Sequence, residues 1–342
     1  MAVKTQQFGT VAGGRVEQYE LSSKTGVSTT IMNLGAAVVA INCPDRHGES
    51  NNIVLCHERP DDYLSDTNFL GVMVGRYANR IAGSAFELAG TRNELPANDG
   101  KNHLHGGPGG FHRKLWQAEI ERGDAGSQIR LSLASPHLDQ GYPGNLVAQV
   151  IYRLTEDGVL TITMTATSDR PTVVNMTNHS YFNLSGTEDI LDHRLRLHCG
   201  AYTPADDDLV PTGDIVSVAN SPFDFRQAKP VGQDLQNDHP QLKRAGGYDH
   251  NFVVDAAPGN LRPVAELSDP LSGRQVIIRS TQPGVQFYTG NNLTSPFQRH
   301  GGLCLETQHF PNSPNQPNFP STVIGPEKAY REVIEYRFRT LT

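Results

Sequence analysis

Leu160, Ile162, Met164 and Ala166 alternate with Thr161, Thr163 and Thr165, and no other feature of the chain restricts its fold so sharply. Apolar residues at every second position give an extended strand one buried and one wet face, whereas the same spacing would scatter them around a helix. Leu146 to Leu154 reads as a preceding strand. Asp157-Gly158 between the two reads as a hairpin turn, because glycine adopts positive φ freely. The same reasoning predicts strands at Gln128 to Ala134, Thr29 to Leu34, Ala37 to Asn42, Leu195 to His198, Gln275 to Ser280 and Val285 to Thr289. Helical signals are short: Arg59 to Leu64 and Phe225 to Gln236 are each expected to hold a turn or two. Short strands without long amphipathic helices between them disfavour a parallel βαβ sheet and predict an antiparallel all-β fold. No repeat, linker or composition break divides residues 1–342, so one domain is expected.

Composition narrows the partners. The chain has 29 Lys and Arg against 36 Asp and Glu, a net charge of -7, so the basic footprint of a nucleic-acid binder is missing. No apolar run is long enough for a membrane span, and MAVKTQQFGT lacks the apolar centre of a secretory signal. A cytoplasmic protein that binds neither nucleic acid nor membrane is expected. Cys43, Cys56, Cys199 and Cys304 are too far apart for a CxxC metal pair and show no disulfide framework, so free thiols are expected.

Several chemistries lack their usual carriers. There is no GxGxxG, no P-loop, no GxSxG elbow and no HExxH helix. Three other positions stand out. In His103-Leu104-His105-Gly106-Gly107 the two histidines would share a strand face, with the glycines letting a ligand approach the backbone. Such a pair can bind metal, but Pro108, Gly109 and Gly110 stand where a cupin-type site has its next carboxylate. In Thr177-Asn178-His179-Ser180-Tyr181-Phe182-Asn183-Leu184, polar side chains crowd around one histidine, as in a lined pocket or a satisfied loop. In Leu303-Cys304-Leu305-Glu306, a carboxylate within an apolar strand is either paired with an arginine or poised for proton transfer. His47, His57, His137, His239 and His300 sit among turn residues and charges and read as surface histidines.

The chain also resembles the aldose 1-epimerases, or galactose mutarotases. The resemblance is carried by VGRYANRIAGSAFELAG (Val74 to Gly90), NHLHGGPGGF (Asn102 to Phe111) followed by Trp116, GYPGNL (Gly141 to Leu146) and TNHSYFNL (Thr177 to Leu184). It continues through GYDHNF (Gly247 to Phe252), TQPGVQFYTGN (Thr281 to Asn291), CLETQ (Cys304 to Gln308) and NQPNFP (Asn315 to Pro320), in family order over nearly the whole chain. It implies a large antiparallel β-sandwich of the galactose mutarotase type with few short helices. A free aldohexose such as galactose or glucose would bind in an open cleft, its α and β anomers would interconvert, and no cofactor or metal is implied. By motif position Glu306 would be the general base and His179 the general acid, with His105 assisting at the ring oxygen. Asn79, Arg80, Asp249 and Gln286 would hold the sugar hydroxyls. Asn68-Phe69-Leu70-Gly71 lacks the Tyr-Phe-Gly of many relatives, a departure expected to touch packing rather than chemistry.

This chemistry also follows from the residue types. Opening a hemiacetal removes the proton of the anomeric hydroxyl and delivers one to the ring oxygen, and Glu and His can serve as that base and acid. Alternatives are a metal enzyme using His105, His179 and Glu306, a non-catalytic sugar-binding module, and a hexose 6-phosphate mutarotase. No Arg and Lys cluster beside the motifs to receive a phosphate. Neither the preferred sugar nor the oligomeric state can be read from the residues.

Overall fold

The computed structural model describes residues 3–123 and 126–341. Every pairing between its strands is antiparallel, and three sheets carry the architecture. A five-stranded meander runs Lys4–Val11, Gly14–Ser22, Ser28–Met32, Val38–Pro44 and Ser50–Asn52. A nine-stranded sheet is built around Leu146–Leu154, Val159–Ser168, Tyr330–Thr340 and Arg274–Ser280 in that spatial order. A six-stranded sheet takes the order Tyr181–Phe182, Leu303–Gln308, Gly284–Tyr288, Asp249–Val254, Cys199–Thr203, Val216–Ser217.

Alternation builds the layers. Along Val159–Ser168, Leu160, Ile162, Met164 and Ala166 are buried, while Thr161, Thr163 and Thr165 stay half-exposed. In the six-stranded sheet Leu305 lies opposite Phe287, and Val285 opposite Phe252. These side chains share one core with Ile162, Ile278 and Ile334 of the nine-stranded sheet and Ile31 and Ile41 of the meander. That leaves the other face of the six-stranded sheet free to build a site.

The expected strands occur with ends displaced by at most two residues, as in Ser28–Met32, Val38–Pro44 and Gly284–Tyr288. The hairpin turn holds Gly158 at φ 82°. The first expected helix is Pro60–Ser65. The second, at Phe225 to Gln236, is absent: Lys229–Pro230 pairs with Arg194 and Leu195, and the amides of Val231 and Gly232 donate to the carbonyls of His193 and Leu191. Pro230 has no amide proton to give a helix, which favours the edge strand. A short helix forms instead at Pro240–Ala245, where the His239 ring accepts from the Gln241 amide and Gly246 closes the end at φ 66°. The four cysteines are unbridged. No helix among the described residues is long and apolar enough to cross a membrane.

Candidate active site

Cross-strand register puts Gln286 opposite Glu306, Asp249 opposite Tyr288, and both Tyr288 and Tyr181 opposite Cys304. Residues directly opposite one another share a face, as do residues two apart in a strand, so all of these project from the face turned away from the core. Glu306, Asp249, Tyr288 and Tyr181 line a cavity of about 120 Å³ there. Its other walls come from Thr67, Asn68 and Phe69, from Asn79 and Arg80, from Leu104 and His105, from His179 and from Asn292.

Glu306 is 2% exposed. Its Oε1 lies 3.6 Å from Nε2 of His179, and Oε2 has no hydrogen-bond partner. A ligand atom of His105 completes a set with these two side chains in which all atoms lie within 4.8 Å of one another. Burial pushes the Glu306 carboxyl well above the usual carboxylate range; nearby Asp249 adds to the effect and Arg80 opposes it. Burial also pushes His179 down to about 4 and His105 well below its usual range. These opposite shifts favour a proton of this group on the carboxyl and neutral imidazoles.

The sugar-binding candidates form a chain of contacts beside this centre. Gln286 Nε2 donates to Asp249 Oδ1 at 2.6 Å. Arg80 donates through Nε to Asp99 Oδ2 at 2.6 Å, leaving its terminal nitrogens outside that bond. Asn79 lies in the left-handed region at φ 61°, as does His105 at φ 50°, and its Oδ1 accepts from the Arg80 amide. Gln286 stands opposite Glu306 on the same face of the sheet, and its Oε1 has no hydrogen-bond partner.

The structure corrects four expectations and decides between the two readings of the His179 run. His103 and His105 do not share a task, because the left-handed turn at His105 ends the strand after His103–Leu104. His103 bonds instead to the Pro96 carbonyl and the Tyr142 hydroxyl. The following glycine serves chain packing rather than a ligand: a Cβ on Gly106 would meet the Gly75 carbonyl oxygen at 1.9 Å. Around His179, Thr177, Asn178 and Asn183 direct their side chains to backbone carbonyls, so only His179 and Tyr181 of that run line the cavity. His57 is no surface histidine, since its side chain is 11% exposed and lies 3.5 Å from Asp66. Phe69 lines the cavity, so the departure at this turn does touch the site.

Sequence reasoning also missed Tyr181, Tyr288, Asn292 and Asp99. Tyr288 carried a signal, standing two residues after Gln286 on an alternating strand. Asp99 carried none, because a loop residue announces no partner.

The aldose 1-epimerase family profile matches residues 17–337. The chain is 38% identical over 328 residues to the aldose 1-epimerase of Escherichia coli, covering 93% of this chain and 94% of that one. It is 37% identical over 336 residues to the galactose mutarotase of Mus musculus, covering 95% of each. Among solved structures, a galactose 1-epimerase from Lactobacillus acidophilus superposes with a TM-score of 0.90 at 27% identity over the whole of both chains. With the family profile spanning nearly the full sequence and relatives this similar along their whole lengths, the chain belongs to the aldose 1-epimerase family.

Proposed function

We propose that the protein interconverts the α and β anomers of free aldohexoses such as galactose and glucose, with Glu306 as base, His179 as acid and His105 assisting. The observation that carries this reading is the buried His179 Nε2 to Glu306 Oε1 approach of 3.6 Å, facing a cavity with His105 on its wall. The pair shares one proton, carried by His179 when the closed sugar is bound. Glu306 then takes the O1 proton as the C1–O5 bond breaks, and His179 gives its proton to O5, so the pair ends as carboxylic acid and neutral imidazole. Rotation about C1–C2 presents the other carbonyl face, and the reverse transfers close the ring to the second anomer. Each positioned group contributes about 10²- to 10⁴-fold.

A base with a raised pKa takes a proton more readily, which suits Glu306 to the anomeric hydroxyl. Charge supports a free sugar over a sugar phosphate. Among the described residues Arg80 is the one Lys or Arg on the cavity wall and it already donates to Asp99, while the Glu306 and His179 pair, sharing one proton, adds no net charge. A phosphoryl group would meet a guanidinium that is already paired, beside the Asp249 carboxyl. An acid and a base at one centre also favour an enzyme over a sugar-binding module. Polarimetry on freshly dissolved α-galactose and α-glucose tests the reading. Acceleration of both approaches to equilibrium is expected, and a rate equal to the buffer's would overturn it.

A further inference from the structure

The turn from Asp66 to Leu70 is held with more bonds than a surface loop requires. Asp66, its side chain 4% exposed, accepts from the Asn68 amide at 2.9 Å, the Asn68 side chain at 3.0 Å and the Leu70 amide at 2.9 Å. His57 Nε2 lies 3.5 Å from the same carboxylate. The turn forces Phe69 to φ 60°, a strained conformation for a residue with a β-carbon. The outcome is an aromatic ring on the cavity wall, with its centroid 4.6 Å from that of His105, 4.8 Å from His112 and 5.9 Å from His179.

We propose that Phe69 is a substrate-positioning residue whose ring packs against the apolar face of the bound sugar and shields the imidazoles of His105 and His179 from water. The proposal rests on the epimerase reading above. A pyranose presents hydroxyls at its edge and C–H groups on its faces, so its recognition needs an apolar surface as well as Arg80 and Asp249. The Phe69 ring supplies that surface. The same contact takes water from the rings, and burial is the largest cause of the low values of both histidines. The other ionisable groups around them are Glu306, Asp249, Arg80, His103, His112, Asp66, Cys304, Tyr181 and Tyr288, of which His112 also packs against the Phe69 ring.

The test compares Phe69→Ala, Phe69→Leu and Phe69→Tyr, with circular dichroism to confirm folding. Two readouts are used: polarimetric kcat and KM across pH, and calorimetric binding of 1,5-anhydrogalactitol, which lacks an anomeric hydroxyl and cannot react. Phe69→Ala and Phe69→Leu should weaken binding and raise KM about fivefold, in the range of one aromatic contact, while Phe69→Tyr stays near wild type. The acid limb of kcat/KM should move upward in Phe69→Ala as the imidazoles regain water. Wild-type affinity and pH profile in Phe69→Leu would overturn the proposal by showing that any apolar side chain serves; a Phe69→Tyr protein as impaired as Phe69→Leu would overturn it too. An inactive wild type would instead sink the epimerase reading, and if Phe69→Ala does not fold, the other two variants decide.

Discussion

Asn79 and His105 hold each other through two hydrogen bonds: the Asn79 amide donates to Nδ1 of His105 at 3.2 Å, and the His105 amide donates to the Asn79 carbonyl at 3.1 Å. Because Nδ1 accepts, the neutral ring carries its proton on Nε2, which makes that nitrogen a donor. A metal-bound imidazole normally has the opposite arrangement, donating through the nitrogen that does not touch the ion.

This tautomer yields a prediction about the two histidines and the carboxylate, whose spacing alone would suit a divalent ion. Metal binding at His105 Nε2 would have to displace its proton and break the bond from Asn79. Activity should therefore persist in EDTA, and added zinc should not raise it. Catalysis lost with chelator and restored by one equivalent of a divalent ion would show the opposite.

Glu306→Gln keeps the size of the side chain but removes its ability to take a proton. Its kcat should fall about 10²-fold or more, with KM changing much less. His179→Asn should lose a comparable amount, and the losses should not add, since both groups act in one ring-opening step. In the wild type, kcat/KM should decline as pH falls toward about 4, where burial has put His179 and the pair takes up a second proton, and again as pH rises through the raised range of the Glu306 carboxyl, where the pair loses its one proton. A folded Glu306→Gln protein keeping more than about a tenth of wild-type kcat removes it as base.

The reach of the sequence is set by which signals are local. Alternation places Leu305 in the core and Glu306 on the opposite face, so the odd carboxylate in an apolar strand was readable as a site residue. Asn79 and His105 were readable only as members of motifs. Their mutual grip comes from left-handed turns that residue types other than glycine do not announce. Phe69 was hidden for the same reason, since its turn is fixed by Asp66 rather than by its own propensity. The helix expected at Phe225 to Gln236 failed because a neighbouring strand edge captured the backbone of Lys229 to Gly232, a tertiary effect outside any local window.

Arg80 depends on a residue that carries no motif. The Nε bond to Asp99, 35% exposed, fixes how the guanidinium enters the cavity. Asp99→Ala should raise KM about three- to fivefold with little change in kcat, the scale of a partly exposed ion pair, and Asp99→Asn should recover part of the loss by keeping an acceptor. Equal KM values in wild type and Asp99→Ala would show that Arg80 is positioned without it.

The buried histidines predict how the fold responds to acid. Burial pushes His103, His179 and His309 down to about 4, and His112 and His250 down to about 3, from an ordinary value of 6.5. In the unfolded chain each regains its ordinary value, so between pH 6.5 and about 4 the unfolded state binds more protons than the folded one. The stability these neutral rings allow is present above pH 6.5 and is lost as pH falls through that window. The loss is at most on the order of 1.4 kcal/mol per pH unit for each ring. Glu306, Asp249 and Glu332, whose carboxyls are raised chiefly by burial, act in the other direction because the folded state takes up their protons first. With His105, His193 and His239 also depressed, eight such histidines against three raised carboxyls leave a net loss toward acid. Urea denaturation at matched ionic strength should give a lower midpoint at pH 5 than at pH 7 with a similar m-value. A midpoint that holds or rises at pH 5 would overturn the net loss, the raised carboxyls then outweighing the depressed histidines.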